Sequence, residues 1–203
     1  MKCYYLISLC MLFFWGEGYA QNAAQFARNA MEQAKLGEYR AAIVEYDKAI
    51  ALDPNNYKHH YYRGICLFET SQYEEAVLAF DAAISIRPKS SDAHYQRGRA
   101  KAFLEKYEEA MADYDVAIRA NVREANYFYE RGRSKAGLSQ HASAIEDFGR
   151  AISMMPRIGH YYVDRGMSQL ALGQKKEACE DFKKASEKRA FNAGYLYLVN
   201  CEK

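Results

Sequence analysis

Apolar and small residues recur along this chain at helical spacing. In one stretch Ala76, Phe80, Ala83 and Ile84 fall at i, i+4, i+7 and i+8, which is a single stripe on a helix. Turn residues recur with the stripe. Gly37-Glu38 and Ser71-Gln72-Tyr73-Glu74 divide a unit into two halves, and Ser71 and Glu74 have the spacing of a capping box that would open the second helix. Asp53-Pro54-Asn55-Asn56 and Arg87-Pro88-Lys89-Ser90 close a unit, because proline has no amide hydrogen with which to continue a helix. The pattern predicts pairs of amphipathic helices, and an all-α chain.

The pairs keep one register. Ala42, Ala76, Ala110, Ala144 and Ala178 are each 34 residues apart, as are Ala49, Ala83, Ala117, Ala151 and Ala185. Tyr46, Phe80, Tyr114, Phe148 and Phe182 keep the same step, and Arg63-Gly64, Arg97-Gly98, Arg131-Gly132 and Arg165-Gly166 repeat as dipeptides. Pro54 and Pro88 are one period apart and Pro156 lies two further on, with Val122 in the place between. A fixed period of this length marks stacked helical hairpins, since one such unit cannot bury its apolar face alone. Small residues at Gly64, Ala76 and Ala83 let helix axes approach, and Phe80 fills the wedge between them. Charge follows the same register. Asp113, Asp147 and Asp181 recur one helix after Arg97, Arg131 and Arg165, which predicts a ladder of ion pairs rather than an anion site; Ala79 stands in the corresponding place of the second unit, so Arg63 is the exception.

These residues resemble the tetratricopeptide repeat family, whose pattern is an aromatic and a small residue in the first helix, then a small, an aromatic, a small residue and proline. The resemblance runs from Ala23 to about Lys188. It departs at Asn29-Ala30, where later units have Arg-Gly, at Val122, and at Lys175, where the first three units have Tyr39, Tyr73 and Tyr107. The fold it implies is an α-α superhelix, a solenoid of five hairpins at 23–56, 57–90, 91–124, 125–158 and 159–192. A C-terminal capping helix is expected at about 191–202, with Leu196, Leu198 and Val199 covering the last hairpin. In this family the first helices line a concave groove, which places Tyr61, Ile65, Tyr95, Arg99, Tyr129 and Arg133 there. Such a row suits an extended peptide with apolar side chains and a carboxylate or backbone carbonyls. The expected function is non-enzymatic protein–protein interaction with a polypeptide whose identity the sequence does not give. The alternative is a structural or self-associating subunit that binds through its convex face or its ends. The lysine and asparagine clamp with which some members hold the acidic C-terminus of heat-shock chaperones is absent, its places being taken by Tyr61, Ile65, Tyr95 and Arg99.

Composition and candidate chemistry narrow the classes. Half of the 203 residues are hydrophobic and 27% are charged, the balance of a folded chain, and a net charge of +2 names neither nucleic acid nor a membrane surface as partner. His59, His60, His94, His141 and His160 form no metal-binding or catalytic spacing, so neither enzyme activity, a metal nor a cofactor is expected; His94 takes a core-side aromatic place. Lys2, the apolar run Cys3 to Trp15, and small residues at Gly18 and Ala20 read as a signal peptide over 1–20. Cleavage would leave Gln21 as the terminus of a repeat domain at 21–203 with no membrane span, exported to a periplasmic or extracellular space. An uncleaved anchor is the other reading, though the apolar run is short against the roughly 20 residues that cross a bilayer. Export permits a disulfide, and Cys179 and Cys201 are placed to staple the last helix to the hairpin before it, which leaves Cys66 as a packed thiol.

Overall fold

The computed structural model describes residues 22–201, so the signal peptide expected over 1–20 and its expected cleavage point lie outside the described residues. Eleven helices and no strand are present among the described residues, which divide into two compact units on either side of the Pro88–Lys89 bond. The first unit holds α1 (22–35), α2 (Tyr39–Leu52), α3 (Tyr57–Glu69) and α4 (Tyr73–Ile86). The second holds α5 (Ser91–Phe103), α6 (Tyr107–Ala120), α7 (Ala125–Gly137), α8 (His141–Met154), α9 (Gly159–Ala171), α10 (Lys175–Glu187) and α11 (Ala193–Cys201). Each odd-numbered helix from α3 to α9 packs on the even one that follows, and α10 packs on α11.

The register set by small and aromatic residues is the packing register. A Cβ on Gly64 would stand 2.6 Å from the Phe80 ring, and one on Gly98, Gly132 or Gly166 would stand 2.7, 2.8 or 2.7 Å from the ring of Tyr114, Phe148 or Phe182. Glycine is therefore required where the two helices of a hairpin cross. In the first unit Ala30, Ala42, Tyr46 and Cys66 form a buried cluster; in the second Ala125, Phe128, Ala151, Ile152, Tyr161, Tyr162, Ala185 and Ala193 form another.

The turn inside each hairpin differs from the capping box expected at Ser71 and Glu74. Gln72, not Ser71, precedes α4, and it makes no side-chain cap. Ser71 has φ of 61°, and Gly37, Glu105, Ser139 and Gly173, in the same place of the other units, have φ of 80°, 58°, 59° and 74°. The backbone explains it. The Gln72 amide donates to the Leu67 carbonyl and the Ser71 amide to Phe68, the paired bonds that close a helix on a left-handed residue, and the next helix starts at once.

The C-terminal helix also differs from expectation. α11 begins one 34-residue step after α9, so it stands as the first helix of a sixth unit. Ala193 is buried, but Leu198 and Val199, expected to cover the last hairpin, are 54% and 44% exposed, and Phe191 lies outside the helix at 87%. One period before Val199 stands Arg165, which pairs with Asp181 of the following helix, and α11 has no following helix among the described residues.

Candidate functional site

The recurring arginines are held by structural pairs. Arg131 donates through Nε and Nη2 to both oxygens of Asp147, at 2.8 and 2.6 Å, and Arg165 does the same to Asp181 at 2.7 and 2.8 Å. Arg97 grips Asp113 with the same two-pronged contact. All three aspartates are about 2% exposed. Lys101 and Lys135 add a second cation to Asp113 and Asp147 at 3.0 and 2.7 Å. Arg63 is no exception to pairing, because its Nε donates to Asp47 at 2.6 Å, 16 residues before it, just as Arg131 Nη1 donates to Asp115. His94 is buried with Nδ1 3.3 Å from Asp113 Oδ1.

What remains on the first-helix side of the second unit is the face of α5, α7 and α9. Tyr95 and Tyr129 are half-buried, and the guanidinium groups of Arg99 and Arg133, one turn further on, lie over their rings at 5.9 Å. Each ring is wedged against the next first helix, Tyr95 on Tyr127 at 4.8 Å between centroids and Tyr129 on Tyr161 at 4.6 Å. Hydroxyls lock the row. Tyr127 donates to Asp92, Tyr161 to Asn126 and Tyr129 to Asp164, at 3.1, 2.7 and 2.6 Å. Burial, and then the carboxylates of Glu130 and Asp164, push up the Tyr95 and Tyr129 hydroxyls respectively, so both remain protonated donors. The row is rigid rather than a loose coat of tyrosine.

Two acidic residues that sequence reasoning passed over share this face. Arg133 Nη1 donates to Glu130 at 3.2 Å, and Arg133 Nε stands 3.9 Å from Asp164. Burial raises the Glu130 pKa against the pull of Arg133 and Arg99. For Arg133 burial acts downward, but Glu130, Tyr129 and Asp164 outweigh it and hold the cation. Burial lowers His160, which stands edge-on to Tyr129 at 5.0 Å, despite the nearby Asp164. Gln96, Glu130 and Asp164 lie 34 residues apart, one position after the tyrosine row, and that series was the available signal. The face thus carries cations that the fold already compensates.

Hollows open on both sides of Arg133. One of about 130 Å³ is bounded among others by Arg99, Ala102, Phe103, Tyr107, Glu130 and Arg133. The other, of about 330 Å³, is bounded among others by Arg133, Ala136, Phe148, Asp164, Met167 and Ala171. In the first unit, Tyr61 is half-buried between Tyr57, at 5.6 Å, and Phe80, at 6.0 Å, and Ile65 is half-buried one turn along.

Cys179 and Cys201 are joined by a disulfide that ties α11 to α10. Cys66 is a buried thiol whose pKa burial and then Glu69 push up to about 11. No trio of His, Cys, Asp or Glu among the described residues converges as metal ligands would, and none of their helices is long and apolar enough to cross a membrane.

Family models described as tetratricopeptide repeat match residues 27–93, 91–121 and 159–187. Among solved structures, a MamA protein superimposes with a TM-score of 0.77 at 24% identity, over 86% of this chain and 96% of that one. MamA from Desulfovibrio magneticus RS-1 does so at 0.80 and 23%, over 83% and 95%. YrrB, described as a TPR protein with an unusual peptide-binding site, does so at 0.70 and 21%, over 80% and 84%. At these identities the likeness carries the fold. Comparison with curated proteins gives no match.

Proposed function

The chain belongs to the tetratricopeptide repeat family, a fold for protein–protein interaction, and from that premise we propose that it binds an extended polypeptide segment on its first-helix face. The observation that carries this reading is the Tyr95–Arg99 and Tyr129–Arg133 row, where rings fixed by neighbouring helices stand beside open hollows. Fixed aromatic rings lose little entropy on contact, and guanidinium N–H groups satisfy backbone carbonyls. Tyr61 and Ile65 would offer the same kind of surface in the first unit. YrrB, of the same fold, is described as having a peptide-binding site, which fits.

The setting we propose is the cell envelope or the secretion pathway, where the protein acts as an adaptor without catalysis. The leader-like residues 1–20 and the Cys179–Cys201 bridge support this, since disulfides persist in oxidising compartments. Sequencing the mature N-terminus tests it, with Gln21 expected; an intact Met1 on a cytosolic protein refutes it. For the binding face, joint replacement of Tyr95, Arg99, Tyr129 and Arg133 by alanine is expected to abolish capture of the partner while circular dichroism stays helical. Capture at full strength by that folded variant would exclude the face.

One observation favours a second reading. Tyr195, Leu198 and Val199 form an exposed apolar stripe on α11, beside exposed Phe191, which suits self-association through the C-terminal end. Sedimentation of the wild type against Leu198→Glu separates the two: a dimer lost in the variant supports the second reading, and a monomer in both removes it.

A further inference from the structure

The two hollows beside Arg133 differ in size, and their charges are already balanced, which together specify a ligand more closely than a peptide groove in general. Arg99 and Arg133 face Glu130 and Asp164, two cations against two carboxylates, so an acidic side chain or C-terminus entering here must displace an internal partner. An uncharged peptide group does not: Arg133 offers it a donor and Asp164, 3.9 Å away, an acceptor. The larger hollow has exposed Met167 and Ala171 with Ala136 in its wall, buried Phe148 beneath them and His141 and Ser168 as polar neighbours, and its mainly apolar wall suits one bulky apolar or aromatic side chain. The smaller hollow, with about 130 Å³ against about 330 Å³, has room for a small one.

Their separation sets the spacing. The small hollow lies at α5 and α7 and the large one at α7 and α9, with Arg99, Ala102 and Glu130 of the first one period before Arg133, Ala136 and Asp164 of the second, and these first helices approach with Cα atoms within 8 Å, so the hollows are one helix step of about 8–10 Å apart. A β-strand returns side chains to one face every second residue, about 7 Å or about 13 Å apart. A polyproline II segment returns them every third residue, about 9 Å apart. We propose that the second unit binds an uncharged internal segment in the polyproline II conformation, with a bulky apolar residue and a small residue three positions apart. This rests on the first-helix face being the binding face.

The test is a positional-scanning library of nonapeptides, acetylated and amidated, probed with the full chain and with three variants. Expected is selection of Leu, Phe, Met or Trp at one position with Ala, Ser or Gly three residues away, in one order. Ala171→Trp, an exposed position on the wall of the larger hollow, is expected to weaken the bulky preference about ten- to hundredfold while the small preference remains. Ala102→Phe should do the reverse. Selection with no preferred spacing, or for an acidic residue, overturns the proposal and leaves the binding face intact. Binding unchanged by the joint Tyr95→Ala, Tyr129→Ala and Arg133→Ala variant overturns both.

Discussion

Asp113 shows how a charge that repeats with the packing period serves the fold. It is 2% exposed and holds Arg97, Lys101 and His94, and although burial raises its pKa, the hydrogen bonds from Arg97 and Lys101 outweigh burial and keep it below the ordinary carboxyl value. With the folded pKa below the unfolded one, its stabilisation is complete above the ordinary aspartate range, near 4, and is lost as pH falls through the folded value. Asp113→Asn is therefore expected to be less stable than wild type at neutral pH by about 3 kcal/mol, with two cations left partly unpaired, and the difference should narrow below about pH 4. Urea unfolding at several pH values measures it; equal stability of variant and wild type at neutral pH would show that the Asp113 charge adds nothing to the fold. The Arg-to-Asp register of this ladder was legible in the sequence because it shares the packing period. Glu130 and Asp164 were not, because the series Gln96, Glu130 and Asp164 has a period but shows no partner until the helices bring Arg133 between the two carboxylates.

At the scale of the element, the helix stripes and their lengths follow from alanine, glycine and aromatic spacing, whereas the turns inside the hairpins do not. Gly37 and Gly173 announce a left-handed residue, but Ser71, Glu105 and Ser139 take the same conformation with side chains that rarely adopt it. Paired backbone bonds at the end of the preceding helix hold the turn. Glu105→Gly should stabilise the fold by about 0.5–1 kcal/mol, the relief of the left-handed penalty less the extra unfolded-state entropy of glycine, read as a higher urea midpoint. No gain would mean that Glu105 makes a compensating contact. α11 is a different case, a short helix with one buried side and an exposed apolar side, held by Cys201. In Cys201→Ser, amide exchange across Tyr195–Val199 is expected to quicken at least tenfold while α7 and α8 keep wild-type protection. Equal protection would show that packing on α10 alone holds the helix.

For the whole molecule, a chain with 28 basic and 26 acidic residues spends most of its repeating chemistry on hairpin packing and on buried ion pairs, which leaves the first-helix face of the second unit as the place where rigid rings and open volume coincide. The five-hairpin plan could be read from residue spacing alone. Which side chains remain available for a partner could not, since that depends on which guanidinium groups the fold consumes. The most direct test places a photo-reactive benzoylphenylalanine at Met167, exposed beside the larger hollow, and, in a separate protein, at Glu146, exposed on α8. After irradiation in cells, a defined polypeptide adduct is expected from position 167, and it should vanish when Tyr95, Tyr129 and Arg133 are also alanine. An adduct formed from position 146 instead, or one at 167 indifferent to those three substitutions, would contradict binding on this face.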